Sequence, residues 1–427
     1  MIWNQFYRLR SYIRSSLWIV PFIAIPFALA ATRLLVWLDP HLDWSFLGLS
    51  EAGARATLEA IISATLAFVV FTFGSLLVAI QVASSQLTAR IIATTLLRDN
   101  VVRYTVGLFI FTFLFALSSL NKVSSAVNQL VVFVAASLGV VCFAAFFYLI
   151  DYASRLLRPI SILGRVGNAG LQVIEDVYPD HSLGPNVSES HRHALAVADH
   201  IILHKGTSGI VLAVNIQTLT NEAERLNGVI EFVPQVGDFV AVDEPLFNLY
   251  CCKSSIDEEI LRATIAFGSE RTMEQDPTFA FRIIIDIALK ALSPAINDPT
   301  TAVLAIDQLH RMLRKVGNRN LRTDEILDKS RQLRVICRTP NWEDFVHLVF
   351  SEIRRCGSNN LQIVRRLRSM IENLTQTLPA YRHPVLQLEL SLLNREISHH
   401  FTQPEEFMLT QVPDSQGLGG HSGKANR

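Results

Sequence analysis

Charge is what this sequence has least of. Of its 427 residues, 18% are charged and 50% are hydrophobic, whereas a soluble domain carries nearer a quarter charged residues. What charge there is cancels, with 38 Lys and Arg against 38 Asp and Glu. A balanced chain offers no net field to draw in a polyanion, so no nucleic-acid partner is expected. Cysteine is scarce as well. Cys142, Cys251, Cys252, Cys337 and Cys356 show no metal-type spacing, and the adjacent Cys251-Cys252 is a poor structural disulfide; the pattern fits a reducing compartment. There is no phosphate-binding loop, no Gly-x-Ser-x-Gly turn and no His-Glu-x-x-His. No catalytic set stands out, and no cofactor is implied. A Cys–His dyad between Cys337 or Cys356 and His310 or His347 is conceivable, but no motif supports it.

The missing charge is concentrated in the first 150 residues, where four apolar stretches reach the roughly 20 residues that cross a bilayer. They run over 17–38, 58–82, 104–120 and 130–150. No charged residue lies between Glu59 and Arg90, between Arg103 and Lys122, or between Lys122 and Asp151. The first stretch is too long for a signal peptide and no small-residue cleavage site follows it. Basic residues set the expected orientation. Arg8, Arg10 and Arg14 precede the first span, Arg90, Arg98 and Arg103 lie between the second and third, and Arg155, Arg158 and Arg165 follow the fourth. The opposite loops offer little beyond Arg55 and Lys122. Both termini are therefore expected on the cytoplasmic side of a bacterial inner (plasma) membrane.

Proton-coupled transporters keep ionisable groups at mid-membrane, but here Arg33, Glu59 and Asp151 all fall near span ends. A proton relay through the bilayer centre is not expected. Thr65, Thr72, Ala79 and Gln86 recur at heptad spacing in the second span. Such a strip either packs helices together or lines a pore, which makes Thr65, Thr72 and Gln86 the candidate pore-facing residues.

The chain divides into a cytosolic N-terminus (1–16), a four-span transmembrane domain (17–150), a juxtamembrane helix and loop (151–195), a small β-rich module (196–252), a cytosolic helical domain (253–402) and a disordered tail (403–427). The fold class expected is mixed: a four-helix transmembrane bundle followed by a cytosolic α+β region. In the β-rich module, "HIILHKGTSGIVLAVN" reads as two strands about a Gly/Ser turn, and "VIEFVPQVGDFVAVDEPLFNLY" as two strands joined at Val-Gly-Asp. Its Gly-Asp-Phe-Val wording resembles a biotinyl-lipoyl-like half-barrel, without the lysine between methionines that would carry a cofactor. His181, His191, His193, His200 and His204 crowd this area; with no Cys beside them they read as ordinary loop and strand histidines, not a metal set. From Ser255 on the chain reads as helices, over 256–267, 277–292 and 299–316, with later ones starting near Thr323, Asn341, Asn359 and Pro384.

The stretch "RTMEQDPTFAFRIIIDIALKALSPAINDPTTAVLAIDQL", with "VASSQLTARIIATTLLRD" after the second span and "GDFVAVDEPL" in the β-rich module, resembles a family of predicted bacterial membrane proteins, domain of unknown function 2254. The resemblance covers nearly the whole chain. It implies an integral membrane protein with a cytosolic domain, and implies no particular activity.

Asp-Pro-Thr occurs twice in that stretch, at Asp276 and Asp298. Asp caps free backbone N–H groups and Pro suits the first helical position, so both copies read as helix starts. Only residues 293–298 join the two helices, which predicts an antiparallel hairpin with Ser293 and Asn297 satisfying backbone groups in the turn. Capping leaves polar residues over. Arg271, Thr272, Gln275, Asp276, Ser293, Asn297, Asp298 and Thr301 are the candidate ligand or subunit-contact residues, with Asp286 and Asp307 near them in sequence. One helix of about 30 Å separates the two caps, so they share a site only across a subunit interface. A cation suits such oxygen-rich positions better than an anion.

The function expected is an oligomeric channel or passive transport protein, with the bilayer, further copies of the chain and a small ion as partners. The alternatives are a membrane-anchored scaffold or envelope sensor, and a membrane-bound enzyme with its site in 271–307.

Overall fold

Long apolar runs have one way to satisfy their backbone in lipid, which is to coil into helices. The computed structural model describes Trp3, Tyr7, Ile13, Ser16 and residues 18–42, 48–86, 99–123, 128–156, 158–179, 197–252, 255–321 and 325–420. Four helices long and apolar enough to cross a membrane come first: α1 (Ile19–Leu42), α2 (Glu51–Gln86), α3 (Asn100–Leu120) and α4 (Gln129–Leu156). The chain splits into two compact units, Ser11–Ser85 with Ala89–Ile162, and Leu163–Arg427 with Met1–Arg10 and Gln86–Thr88.

In the first unit α3 packs against α1 and α4. Ala28, Ala54, Leu58, Phe115, Ala116 and Ala135 form one buried cluster, and Val102, Phe109 and Cys142 another. Polar groups in this unit bind one another. Gln129 pairs with the Leu49 backbone in both directions, at 3.2 and 2.9 Å, and Asp39 Oδ1 accepts from the Leu130 N–H at 2.8 Å. Asp99 caps α3 and accepts from the Tyr152 hydroxyl at 2.6 Å. Many large apolar side chains on the spans are exposed, among them Phe22, Phe27, Val70, Leu77, Val140 and Phe147.

The main segment of the second unit begins at Leu163, within α5 (Pro159–Val177), which has Pro159 as its first residue. Two sheets follow. The three-stranded one runs β4 (Phe239–Val240), β2 (Gly209–Val214), β6 (Ile265–Gly268), all antiparallel. The five-stranded one runs β1 (His200–Leu203), β5 (Pro245–Tyr250), β3 (Val229–Phe232), β8 (Leu333–Cys337), β7 (Glu325–Leu327), with β3 and β8 parallel. Helix α6 (Ile216–Leu226) lies against β3 and β8. Ile202, Val211, Leu219, Ile230, Phe247 and Val335 share one core with residues of both sheets.

This layout corrects several sequence expectations. The strands about the Gly/Ser turn exist, but they lie in different sheets and do not form a hairpin. "VIEFVPQVGDFVAVDEPLFNLY" holds three strands, because β4 leaves to pair with β2. The helix expected over 256–267 is a short α7 (Glu258–Ala263) followed by β6, whose backbone fills an edge of β2. Where a helix was expected near Thr323, Glu325–Leu327 and Leu333–Cys337 are strands. A short buried apolar run such as Val335-Ile336-Cys337 does not reveal its type by periodicity. Its partner β3 lies far away in sequence.

Helices α8 (Pro277–Ala291), α9 (Pro299–Gly317), α10 (Trp342–Gly357), α11 (Leu361–Thr377) and α12 (His383–His400) make up the rest of the unit. Helix α8 contacts α9 and α10 and buries Phe281, Ile283, Ile284, Ile285 and Ile287 together, as a helix apolar on nearly all sides must. On this helix Arg282 binds Asp286 at 2.7 Å and also Glu352. The tail reading beyond Gln403 is corrected for residues 404–420. They form α13 (Pro404–Thr410) and a bonded segment after it. Residues 421–427 lie outside the described residues, as do 87–98 of the second motif, most of the 178–190 loop, and Arg8, Arg10, Arg14, Arg90 and Arg98.

Candidate functional site

The Gln275-Asp276-Pro277 motif sits where the three-stranded sheet meets α8. β4 pairs with β2 only at Gly209 and Ile210, which leaves Val214 open on that edge. Gln275 takes the place of a strand there. Its Oε1 accepts from the Val214 N–H at 2.9 Å and its Nε2 donates to the Val214 carbonyl at 3.4 Å. One residue on, Asp276 Oδ1 accepts from the Phe279 N–H at 3.1 Å and from the Thr278 hydroxyl. Pro277 then occupies the first turn of α8. The motif therefore welds sheet edge to helix start.

Capping uses only one oxygen of Asp276. Oδ2 is buried without a hydrogen-bond partner, on a residue 3% exposed. The half-exposed Arg271 guanidinium stands 3.8 Å from it and donates from Nε to the Gly237 carbonyl at 2.9 Å. Gly237 closes the turn before β4 at φ 96°. A Cβ there would lie 2.6 Å from Asp276 Oδ2 and 3.2 Å from Arg271 Cζ. The Thr272 hydroxyl is also buried without a partner. Four of the candidate residues thus gather here: Arg271, Thr272, Gln275 and Asp276.

A cavity of about 530 Å³ opens beside them, within the range of small-molecule sites. Gln275 and Asp276 line it, with Tyr178, Ile216, Phe232 and Val236 as apolar walls. Its other charged lining residues are Asp176, Glu274 and Arg338. Three carboxyl groups against one guanidinium suit a ligand with a cationic end and an apolar body. Cys337 also lines it. Burial pushes that thiol up to about 12, which keeps it protonated and unreactive at neutral pH.

Burial pushes the Asp276 carboxyl above the usual carboxylate range, against the pull of Thr278 and Arg271. The folded chain thus holds this proton to a higher pH than the unfolded chain, whose Asp titrates near about 3.9. Stability from this site is greatest below that value and is lost as pH rises through the folded one. Asp276→Asn keeps a capping oxygen and removes the buried charge. We expect its thermal midpoint to exceed the wild type's at pH 7 to 8, and the gap to close toward about pH 4. A variant less stable than wild type at pH 8 contradicts this.

The second Asp-Pro-Thr is a helix start as expected, and it lies apart. Asp298 accepts from the Thr301 N–H at 3.0 Å and its hydroxyl at 2.5 Å. Ser293 Oγ donates to the Lys290 carbonyl at 2.7 Å, and Asn297 adopts φ 46° in the turn. Asp286 pairs with Arg282, and Asp307 with Arg366. The structure does not bring these residues to Asp276. In α2, Thr65 and Thr72 are buried. Thr65 Oγ1 bonds the Ile61 carbonyl of its own helix at 2.7 Å. The Thr72 hydroxyl has no partner. Gln86 ends α2, its side chain outside the described residues.

Neither Cys–His dyad forms. His310 bonds Asn373 at 2.9 Å and His347 bonds Glu389 at 3.0 Å. His200 and His204 part company, the first toward Glu258 and the second toward the Thr207 carbonyl. Among the described residues no three His, Cys, Asp or Glu side chains gather as a metal set; His181, His191 and His193 lie outside them. Sequence reasoning missed Gly237, Val214 and the cavity walls, because each comes from another element. The Val-Gly-Asp turn was the one available signal.

Four candidate spans followed by an α+β region define the class, a multi-helix membrane protein. The chain belongs to the family described as "Predicted membrane protein (DUF2254)", which matches residues 14–373. It is similar to uncharacterized proteins of Mycobacterium bovis and Mycobacterium tuberculosis, 23% identical over 415 residues, covering 92% of this chain and 78% of each relative. No solved structure matches it.

Proposed function

We propose that this protein is a membrane-anchored sensor. It binds a small molecule with a cationic group in the cavity beside Asp276, and its spans anchor and assemble it. The observation that carries this reading is Asp276 Oδ2, buried without a hydrogen bond and with only the Arg271 guanidinium 3.8 Å away, at the edge of a cavity of about 530 Å³. An unsatisfied buried carboxyl oxygen costs stability, and such groups cluster at functional sites. The arginine distribution supports a cytoplasmic placement of both termini and of the α+β region in an inner membrane. The broad apolar faces of the spans suit lipid and contacts between copies of the chain.

The channel reading has less support. Its hydroxyl strip is buried within one chain, where Thr65 is already satisfied, so a pore has to form between copies. For a membrane-bound enzyme the cavity offers no reactive thiol, since burial keeps Cys337 protonated there. Ion flux into liposomes carrying the pure protein separates sensor from channel. The expected result is flux no greater than in empty liposomes. Reproducible single-channel currents overturn the sensor reading.

A further inference from the structure

Helix α11 carries three buried arginines, Arg365, Arg366 and Arg368. Buried guanidinium groups normally take carboxylate partners. Among the described residues only Asp307 serves, 2.6 Å from Arg366. Arg368 also donates to Asn394 Oδ1 on α12 at 2.5 Å and to Gln411 Oε1 at 3.0 Å, and the remaining bonds run to the end of α13 and the segment after it. Arg365 donates to the Val412 carbonyl at 2.9 Å and the Gly419 carbonyl at 3.1 Å. Arg366 donates to the Asp414 and Ser415 carbonyls at 3.4 and 3.1 Å. Arg368 donates to the Thr410 carbonyl at 2.9 Å. Among the described residues Arg365 Nη2 is buried with no hydrogen-bond partner, on a residue 1% exposed. Burial pulls the Arg368 guanidinium below its ordinary value, with Glu372 the one opposing carboxylate.

The covering segment holds itself in shape for this. Asp414 does not turn to the arginines; its two oxygens accept from the N–H groups of Gln416, Gly417 and Gly419 at 2.7 to 3.0 Å. Five main-chain carbonyls thus converge on three cations. The segment buries little apolar surface, since Val412 and Pro413 are only half-buried and Leu418 stays exposed. Its hold on the protein is mainly this set of polar bonds. It also lies beyond residue 373, where the family match ends, whereas the arginines lie within that match.

We propose that Arg365, Arg366 and Arg368 form a site for a phosphate-class oxyanion, and that residues 411–419 act as a strap filling it with carbonyl oxygens. A phosphate carries the full charge that carbonyls lack and matches the guanidinium fork. Strap and anion compete, so each weakens the other by the same factor. This proposal does not rest on the Asp276 cavity.

The test uses full-length protein in detergent, with inorganic pyrophosphate as the probe. Hydrogen–deuterium exchange should show faster uptake over 411–419 when pyrophosphate is added. Gly417→Val places a side chain at φ 71°, where even a Cβ would lie 2.5 Å from Val303 Cγ1. This should free the strap and tighten pyrophosphate binding by about tenfold. Adding Arg365→Gln and Arg368→Gln to it should abolish binding. Nanodiscs containing phosphatidylglycerol, without pyrophosphate, separate the two sources. Strap opening there assigns a lipid headgroup, and opening only with pyrophosphate assigns a soluble ligand. Unchanged exchange in the wild type under both conditions overturns the proposal, whether or not Gly417→Val folds. Equal binding before and after the glutamine substitutions overturns it as well.

Discussion

Gly237→Val is expected to destabilise the α+β unit by about 3 kcal/mol or more, combining left-handed backbone strain with a buried clash. The strain comes from φ 96°, a conformation that β-branched residues strongly avoid. The clash is with Asp276 Oδ2 at 2.6 Å and Arg271 Cζ at 3.2 Å from a Cβ alone, before the two valine methyls are placed. Relief by moving the turn breaks two bonds that fix it, Gly237 N–H to the Val211 carbonyl at 2.8 Å and Arg271 Nε to the Gly237 carbonyl. Relief by moving Asp276 uncaps α8. Thermal unfolding of the full chain checks this, at roughly 2–4 °C per kcal/mol for a unit of this size. Hydrogen exchange should localise the loss to β2 and the start of α8. A midpoint within a degree or so of wild type contradicts the packing described.

The helical parts of this fold were legible because their signals are local. Asp276-Pro277, Asp298-Pro299 and Asn341 each announce a helix at the residue itself, and all three cap one. The four spans announce themselves by length and lack of charge. The sheets were less legible. Val335-Ile336-Cys337 looks alike as helix or strand, and what decides is β3, 105 residues earlier, since Ile230 pairs with Val335. The final segment misled for a related reason. Its Gly, Ser and Gln read as disorder, yet its carbonyls are fixed by arginines of α11 that composition does not link to it. Arg271, Thr272, Gln275 and Asp276 stood out as polar residues that capping leaves over; the structure sets Arg271 beside Asp276 and gives Gln275 to Val214, partners that sequence did not indicate. Asp298 and Thr301 stood out equally, but they spend themselves on each other.

Filling the cavity is expected to have the largest functional effect of any single change. Val177 ends α5 and lines the cavity about Asp276 without touching the motif's own bonds. Val177→Trp places an indole in that space while Gln275 still holds Val214 and Asp276 still caps α8. The indole takes part of the space in which a molecule with most of its surface enclosed would sit, so binding should be lost while folding is kept. Native mass spectrometry of the full-length protein, purified gently from membranes, tests this most directly. The account predicts that the wild type carries a stoichiometric small molecule, one that Asp276→Asn weakens, and that Val177→Trp is empty at an unchanged thermal midpoint. A wild type that carries no small molecule, or one retained equally by the folded Val177→Trp, contradicts it.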